Sequence, residues 1–119
     1  MRNSSIFDVD GMNEREVDRE TVKTFIKEIT SACIIRVEVG RTLGQGNEGG
    51  RVFLHLSNLG STQGTVEING HSSEDFNSLT LELTGECEGE AIIHALEFAL
   101  GVLKEARDRV MFQKEEGAF

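Results

Sequence analysis

The sequence predicts a single α+β domain: an N-terminal helix, a four-stranded antiparallel sheet and a long C-terminal helix, with both helices packed on one face of the sheet. Three observations carry that prediction. Four short stretches alternate apolar and polar side chains, two flanking stretches repeat apolar residues at spacings of three and four, and the links between strands are rich in Gly, Asn, Asp and Ser. At 119 residues the chain is the size of one domain with one core.

Residues 1–12 are polar with scattered apolar side chains and read as a flexible arm. Asn13 followed by Glu16 resembles a capping box, and Val22, Phe25, Ile26, Ile29 and Cys33 recur at helical spacing, which predicts an amphipathic helix over about residues 14–31. Period 2 then takes over in CIIRVEV (33–39), RVFLHLS (51–57), GTVEIN (64–69) and SLTLELT (78–84). Strands covered on both faces read as continuous apolar runs, so this alternation predicts an antiparallel sheet with one wet face.

A long helix is predicted from about Glu86 to about Met111, with Glu86, Glu88 and Glu90 near its start and Lys104, Arg107 and Arg109 near its end, as the helix dipole favours. Between Ala91 and Leu103 it is apolar almost all round, leaving a stripe of His94, Glu97, Gly101, Glu105 and Asp108. One sheet needs a narrower apolar arc than this. The excess is expected to pack on the first helix or on a second copy, which predicts a homodimer with Ile93, Phe98 and Leu100 in its interface. The domain is bounded at 13–113, and residues 114–119 read as a flexible tail.

Composition excludes several classes. A net charge of −9 opposes nonspecific binding to nucleic acid or to an anionic membrane, because phosphate recognition needs clustered Lys and Arg. Cys33 and Cys87 are too few for a disulfide framework or a zinc site and are expected to be reduced. The first residues lack the apolar run of a signal peptide, so the expected location is cytoplasmic. No cofactor is predicted.

LGQGNEGGRV (43–52) contains G-x-G-x-x-G at Gly44, Gly46 and Gly49. A dinucleotide fingerprint needs a helix after it, whereas a strand pattern follows here. Set between two strands, the stretch resembles the L-G-x-G-x-x-G-x-V loop of protein kinases, which would imply phosphate binding. Val52 stands three residues after Gly49 rather than two, no lysine follows in the next strand, and H-R-D and D-F-G are absent. The loop Gly44–Gly50 is therefore read as a long hairpin connection. SIFDVDGM (5–12) resembles the first motif of haloacid-dehalogenase-type phosphohydrolases, which would make Asp8 a nucleophile and Asp10 an acid and base. MRNSS supplies no buried strand ahead of it, and Met12 replaces the usual threonine or valine; Met12 also spoils an EF-hand reading of the same residues.

Of the three histidines, His55 falls on a strand, His71 in a loop and His94 on the last helix between Glu90 and Glu97, a trio able to bind metal weakly. Cys87 falls at a predicted helix N-terminus among Glu86, Glu88 and Glu90, with no histidine adjacent in sequence, and is read as a structural or passive cysteine. The predicted wet face of the sheet carries Arg36, Glu38, Phe53, His55, Thr65, Glu67, Thr80 and Glu82. Arg36, Phe53, His55 and Glu67 are its candidate partner-binding residues, with Phe53 as apolar anchor. The expected function is a non-enzymatic cytosolic interaction or regulatory protein, homodimeric and binding a protein partner. The alternative is a small-molecule or metal-binding domain with its site between sheet and helices or around His94.

Overall fold

The computed structural model describes residues 9–31, 33–43, 49–60 and 62–116, with side chains through residue 109. In chain order the elements are β1 (Gly11–Val17), β2 (Glu20–Thr30), β3 (Ile34–Thr42), β4 (Arg51–Asn58), β5 (Val66–Ile68), β6 (His71–Ser73), β7 (Ser78–Thr84) and α1 (Glu86–Glu116). A five-stranded antiparallel sheet runs in the order β1-β2-β3-β4-β7, and β5 and β6 form a separate two-stranded hairpin.

The expected N-terminal helix is absent. Residues 14–31 instead lie in a hairpin, in which β1 and β2 pair across Asp18 and Arg19. The helical spacing was satisfied another way: Val22 and Ile26 lie on one face of β2, and Phe25 and Ile29 on the other. Val17, Thr21, Val22, Thr24, Ile26, Ile29 and Thr30 favour a pleated backbone because β-branching restricts side-chain torsion in a helix. Asp18 and Arg19 both take positive φ, 47° and 71°, the geometry that lets a two-residue turn match strand twist.

The sheet has five strands rather than four, and the strand expected at 64–69 is outside it. Val66–Ile68 pairs with His71–Ser73 across Asn69 and Gly70, both at positive φ. Nor do two helices cover a face. The one helix follows Gly85, touches β7 and β4 with its first turns, and then leaves the sheet; residues 94–109 are exposed.

Register decides which side chains share a face. Thr24, Gly40, Phe53 and Glu82 lie in one row across β2, β3, β4 and β7, and Ile26, Glu38, His55 and Thr80 in the next. The sheet curls around this face. Arg15 on β1 places its guanidinium 5.3 Å from the centroid of the Phe53 ring on β4, across the two intervening strands. Val17, Val22, Thr24, Glu38, Arg51 and Phe53 are buried on this side, and Val52 is buried on the other. The core is small and mixes apolar with polar side chains.

The opposite face is mainly apolar. Met12, Phe25, Val39, Leu54 and Leu81 form one row, and Lys27, Val37, Leu56 and Leu79 line the neighbouring one. Every one of these is half-buried or exposed.

Two constraints hold the curl. Gly40 brings β3 so close to β2 that a Cβ would strike the Lys23 carbonyl, so no other residue fits there without moving backbone. Arg51, 2% exposed, donates from Nε to Val17 O (3.2 Å), from Nη2 to Asp18 O (3.2 Å) and from Nη1 to Gly49 O (3.1 Å) and Gly50 O (3.2 Å). Its charge also faces Asp18 (3.8 Å) and Glu20 (3.6 Å). One planar donor fork thus ties the β1–β2 turn to the start of β4. Arg51→Met keeps the stem and strands those carbonyls, so it is expected to cost about 3 kcal/mol in urea unfolding. A change within about 0.5 kcal/mol, the range of an ordinary surface substitution, would contradict this role.

Candidate functional site

The curled face centres on Glu38, whose side chain is fully buried. Arg15 grips it in a two-point fork, Nε to Oε2 at 2.7 Å and Nη2 to Oε1 at 2.8 Å. Thr24 Oγ1 donates to Oε2 at 2.7 Å, and Arg36 Nη1 lies 3.9 Å from Oε1. The Arg15 hydrogen bonds hold the carboxyl down at about 2, against the upward push of burial, with Thr24 and the charges of Arg15 and Arg36 adding to the depression. The same pairing raises the Arg15 pKa.

Phe53 lies beneath Arg15 and stacks on His55, with centroids 6.3 Å apart and planes at 23°. His55 Nδ1 and Thr80 Oγ1 share a hydrogen bond of 2.6 Å. Chemically, Glu38 is a carboxylate whose two oxygens are already taken, which suits it to fix three strands together and not to move a proton.

The candidate partner-binding residues do not form one patch. Arg36 and His55 sit half-buried beside Glu38, Phe53 is 5% exposed, and Glu67 lies on the separate β5–β6 hairpin. The anchor expected at Phe53 is a core residue. Glu38 was assigned to the wet face because alternation gives a side chain's face but not which face the sheet curls around. Its partners come from β1, β2 and β3, and only register joins them.

Several large apolar side chains are accessible. Beside the aliphatic sheet face, α1 exposes Leu96, Phe98, Leu100, Val102 and Leu103, with Phe98 at 74% and Leu103 at 68%. Of the expected interface residues, Ile93 is half-buried, while Phe98 and Leu100 are open. Residues 14–31, expected to form a first helix that takes up the excess apolar arc, lie in the β1–β2 hairpin.

The remaining motifs resolve locally. Gly44 and Gly46 lie outside the described residues; Gly49 has φ 71°, and a Cβ on it would come within 2.9 Å of Glu86 N and 3.0 Å of Gly85 Cα. Its glycine serves close packing at the β7–α1 junction, where Gly85 N also donates to Gly50 O at 2.8 Å. Asp8 is outside the described residues, whereas Asp10 accepts the Glu28 amide through Oδ2 at 2.6 Å and donates its own amide to Ile26 O at 2.7 Å. His71 lines a shallow depression of about 400 Å³ with Val66, Ile68, Ser73, Asp75 and Asn77.

His94 is exposed, and its neighbour Glu90 is engaged by Arg41 at 3.0 Å. Among the described residues no group of three or more His, Cys, Asp or Glu converges as a metal cage. Cys33 and Cys87 are unpaired, and no helix searched among the described residues is long and apolar enough to cross a membrane.

Glu38 supplies a pH test. Its folded pKa is depressed from 4.5 to about 2, so its contribution to stability is complete above about pH 4.5 and is lost as pH falls toward about 2. Glu38→Gln is expected to be about 3 kcal/mol less stable than the parent at pH 7. The gap should shrink between pH 4.5 and pH 2; a gap that stays constant across that window would contradict the ion pair.

Comparison of the chain with protein-family models, with curated proteins and with solved structures finds no match, so its functional reading rests on its own geometry.

Proposed function

We propose that this is a non-enzymatic interaction protein that works as a homodimer and presents an aliphatic sheet face to a protein partner. The observation that carries this reading is the distribution of burial: Thr24, Glu38 and Arg51 are buried on the curled face, while on the opposite face Val52 is buried but Met12, Val39, Leu54 and Leu81 are left half-buried or exposed, and the apolar stretch of α1 is exposed. An isolated monomer gains nothing from that arrangement, because burying apolar surface is the main favourable term in folding.

Area and shape support association. The chain exposes 8893 Å². A compact monomer of 13.1 kDa exposes about 6,400 Å², leaving a surplus of about 2,500 Å² against the roughly 800 Å² per partner of an ordinary stable interface. The radius of gyration is 17.1 Å, where a compact chain of this length has about 13.5 Å. A helix draws most of its stability from packing its apolar side, and in one copy of this chain residues 94–109 are exposed.

The occupant of the sheet face is a protein segment with aliphatic side chains. The row Met12, Phe25, Val39, Leu54 and Leu81 contains no charge, and a chain of net charge −9 is a poor host for nucleic acid. The interior carboxylate Glu38 is consumed by structure, which favours a binding role over a catalytic one. Two unpaired cysteines suit the reducing cytoplasm.

Light scattering after gel filtration tests the dimer. At tens of micromolar the mass should be about 26 kDa, twice 13.1 kDa, and a mass near 13.1 kDa would contradict the reading. A polarity-sensitive dye tests the face: Val39→Asp should reduce its binding while the far-ultraviolet spectrum stays unchanged. Equal dye binding by parent and variant would remove the sheet face from the account.

A further inference from the structure

We infer that two copies of this chain associate by pairing their α1 helices antiparallel, centred between Glu97 and Phe98. The inference rests on the homodimer proposed above and specifies how it is built. It begins with a repeat along the helix: Ile92, half-buried, and Leu96, Ala99, Leu103 and Ala106, all exposed, follow spacings of four, three, four and three. That is the 3.5-residue repeat that keeps a seam facing a second helix, and from Leu96 to Ala106 its members are exposed in this chain.

The direction follows from which residues meet. Set antiparallel about a point between Glu97 and Phe98, each Leu96 faces Ala99 of the second copy, and each Ile92 faces Leu103 of the second copy. Large side chains meet small ones at the centre, as interdigitating packing requires. The flanking positions agree. On one flank Glu86 lies opposite Arg107 of the second copy and Ile93 opposite its Leu100; on the other, Glu88 lies opposite Arg109 and Ala95 opposite Val102. Every charge meets its opposite, and every apolar residue meets an apolar one.

A parallel pair fails the same test. It would bring Glu86 and Glu88 against their own copies and gather four arginines at the other end, with like charges repelling at both. The two helix dipoles would also be aligned rather than opposed. In the single chain Glu86 and Glu88 make no ion pair among the described residues, and Arg109 is held by Glu105 at 3.2 Å in an exposed pair that is free to exchange. Ile93 and Leu100 thus flank the seam, while Phe98 lies about 120° round the helix from it.

The experiment uses the full chain with Cys33→Ser and Cys87→Ser, and a spin label at Asp108→Cys. Antiparallel pairing sets residue 108 opposite residue 87 of the second copy, so the two labels should sit about 30 Å apart, 21 residues at 1.5 Å each. A parallel pair would bring them to about 10 Å, the spacing between helix axes, and would overturn the inference while leaving the dimer intact. Absence of any label pair, with a monomeric mass, would overturn the homodimer itself. Charge reversal gives an independent reading. Glu86→Arg with Glu88→Arg should weaken association at least tenfold, as should Arg107→Glu with Arg109→Glu, and all four together should restore it. Failure of the fourfold variant to recover would contradict the pairing, because a merely structural role at the helix ends predicts further loss.

Discussion

The guanidinium of Arg51 holds together parts of the chain that sequence separates. By donating to the carbonyls of Val17, Asp18, Gly49 and Gly50, it closes the β1–β2 turn onto the start of β4. With that corner fixed and Gly40 letting β3 press onto β2, the sheet can curl in only one sense. The curl puts Thr24, Glu38 and Phe53 inside. With them inside, Val39, Leu54 and Leu81 of the other face are left half-buried or exposed, and that surface is the one proposed to meet a second molecule. A buried charge is tolerated here because each donor of Arg51 and each oxygen of Glu38 has a partner.

Much of the strand pattern was legible. SLTLELT matches β7 residue for residue, RVFLHLS falls within β4, and the antiparallel arrangement follows from alternation. The N-terminal hairpin was not. A spacing of three and four fits a helix, and it also fits two faces of a strand when the even-numbered and odd-numbered members are counted apart. Asp18–Arg19 lacks the glycine that marks most tight hairpin turns, so the turn left no trace in composition. The second hairpin did leave one: Asn69–Gly70 is the strongest short signal for a two-residue turn, and it separates β5 from the main sheet.

The site was half legible. Alternation placed Arg36, Glu38, Phe53, His55, Thr80 and Glu82 on one face, and they share it. It did not reveal that this face is the interior. Arg15 was hidden in a predicted helix, and without Arg15 nothing in the sequence pairs Glu38. The surplus apolar arc of the last helix was readable from the start, because it depends on period and composition alone. Only the coordinates show how little of it the sheet uses, since α1 departs after its first turns.

Amide hydrogen exchange along residues 94–109, followed from high protein concentration to strong dilution, tests most directly whether this helix is an interface. These amides belong to a helix segment whose side chains are exposed in one chain, so lasting protection points to a second chain. The account predicts slow exchange at high concentration that becomes rapid on dilution, while the amides of β3 and β4 stay protected throughout. Rapid exchange of 94–109 at every concentration would contradict it.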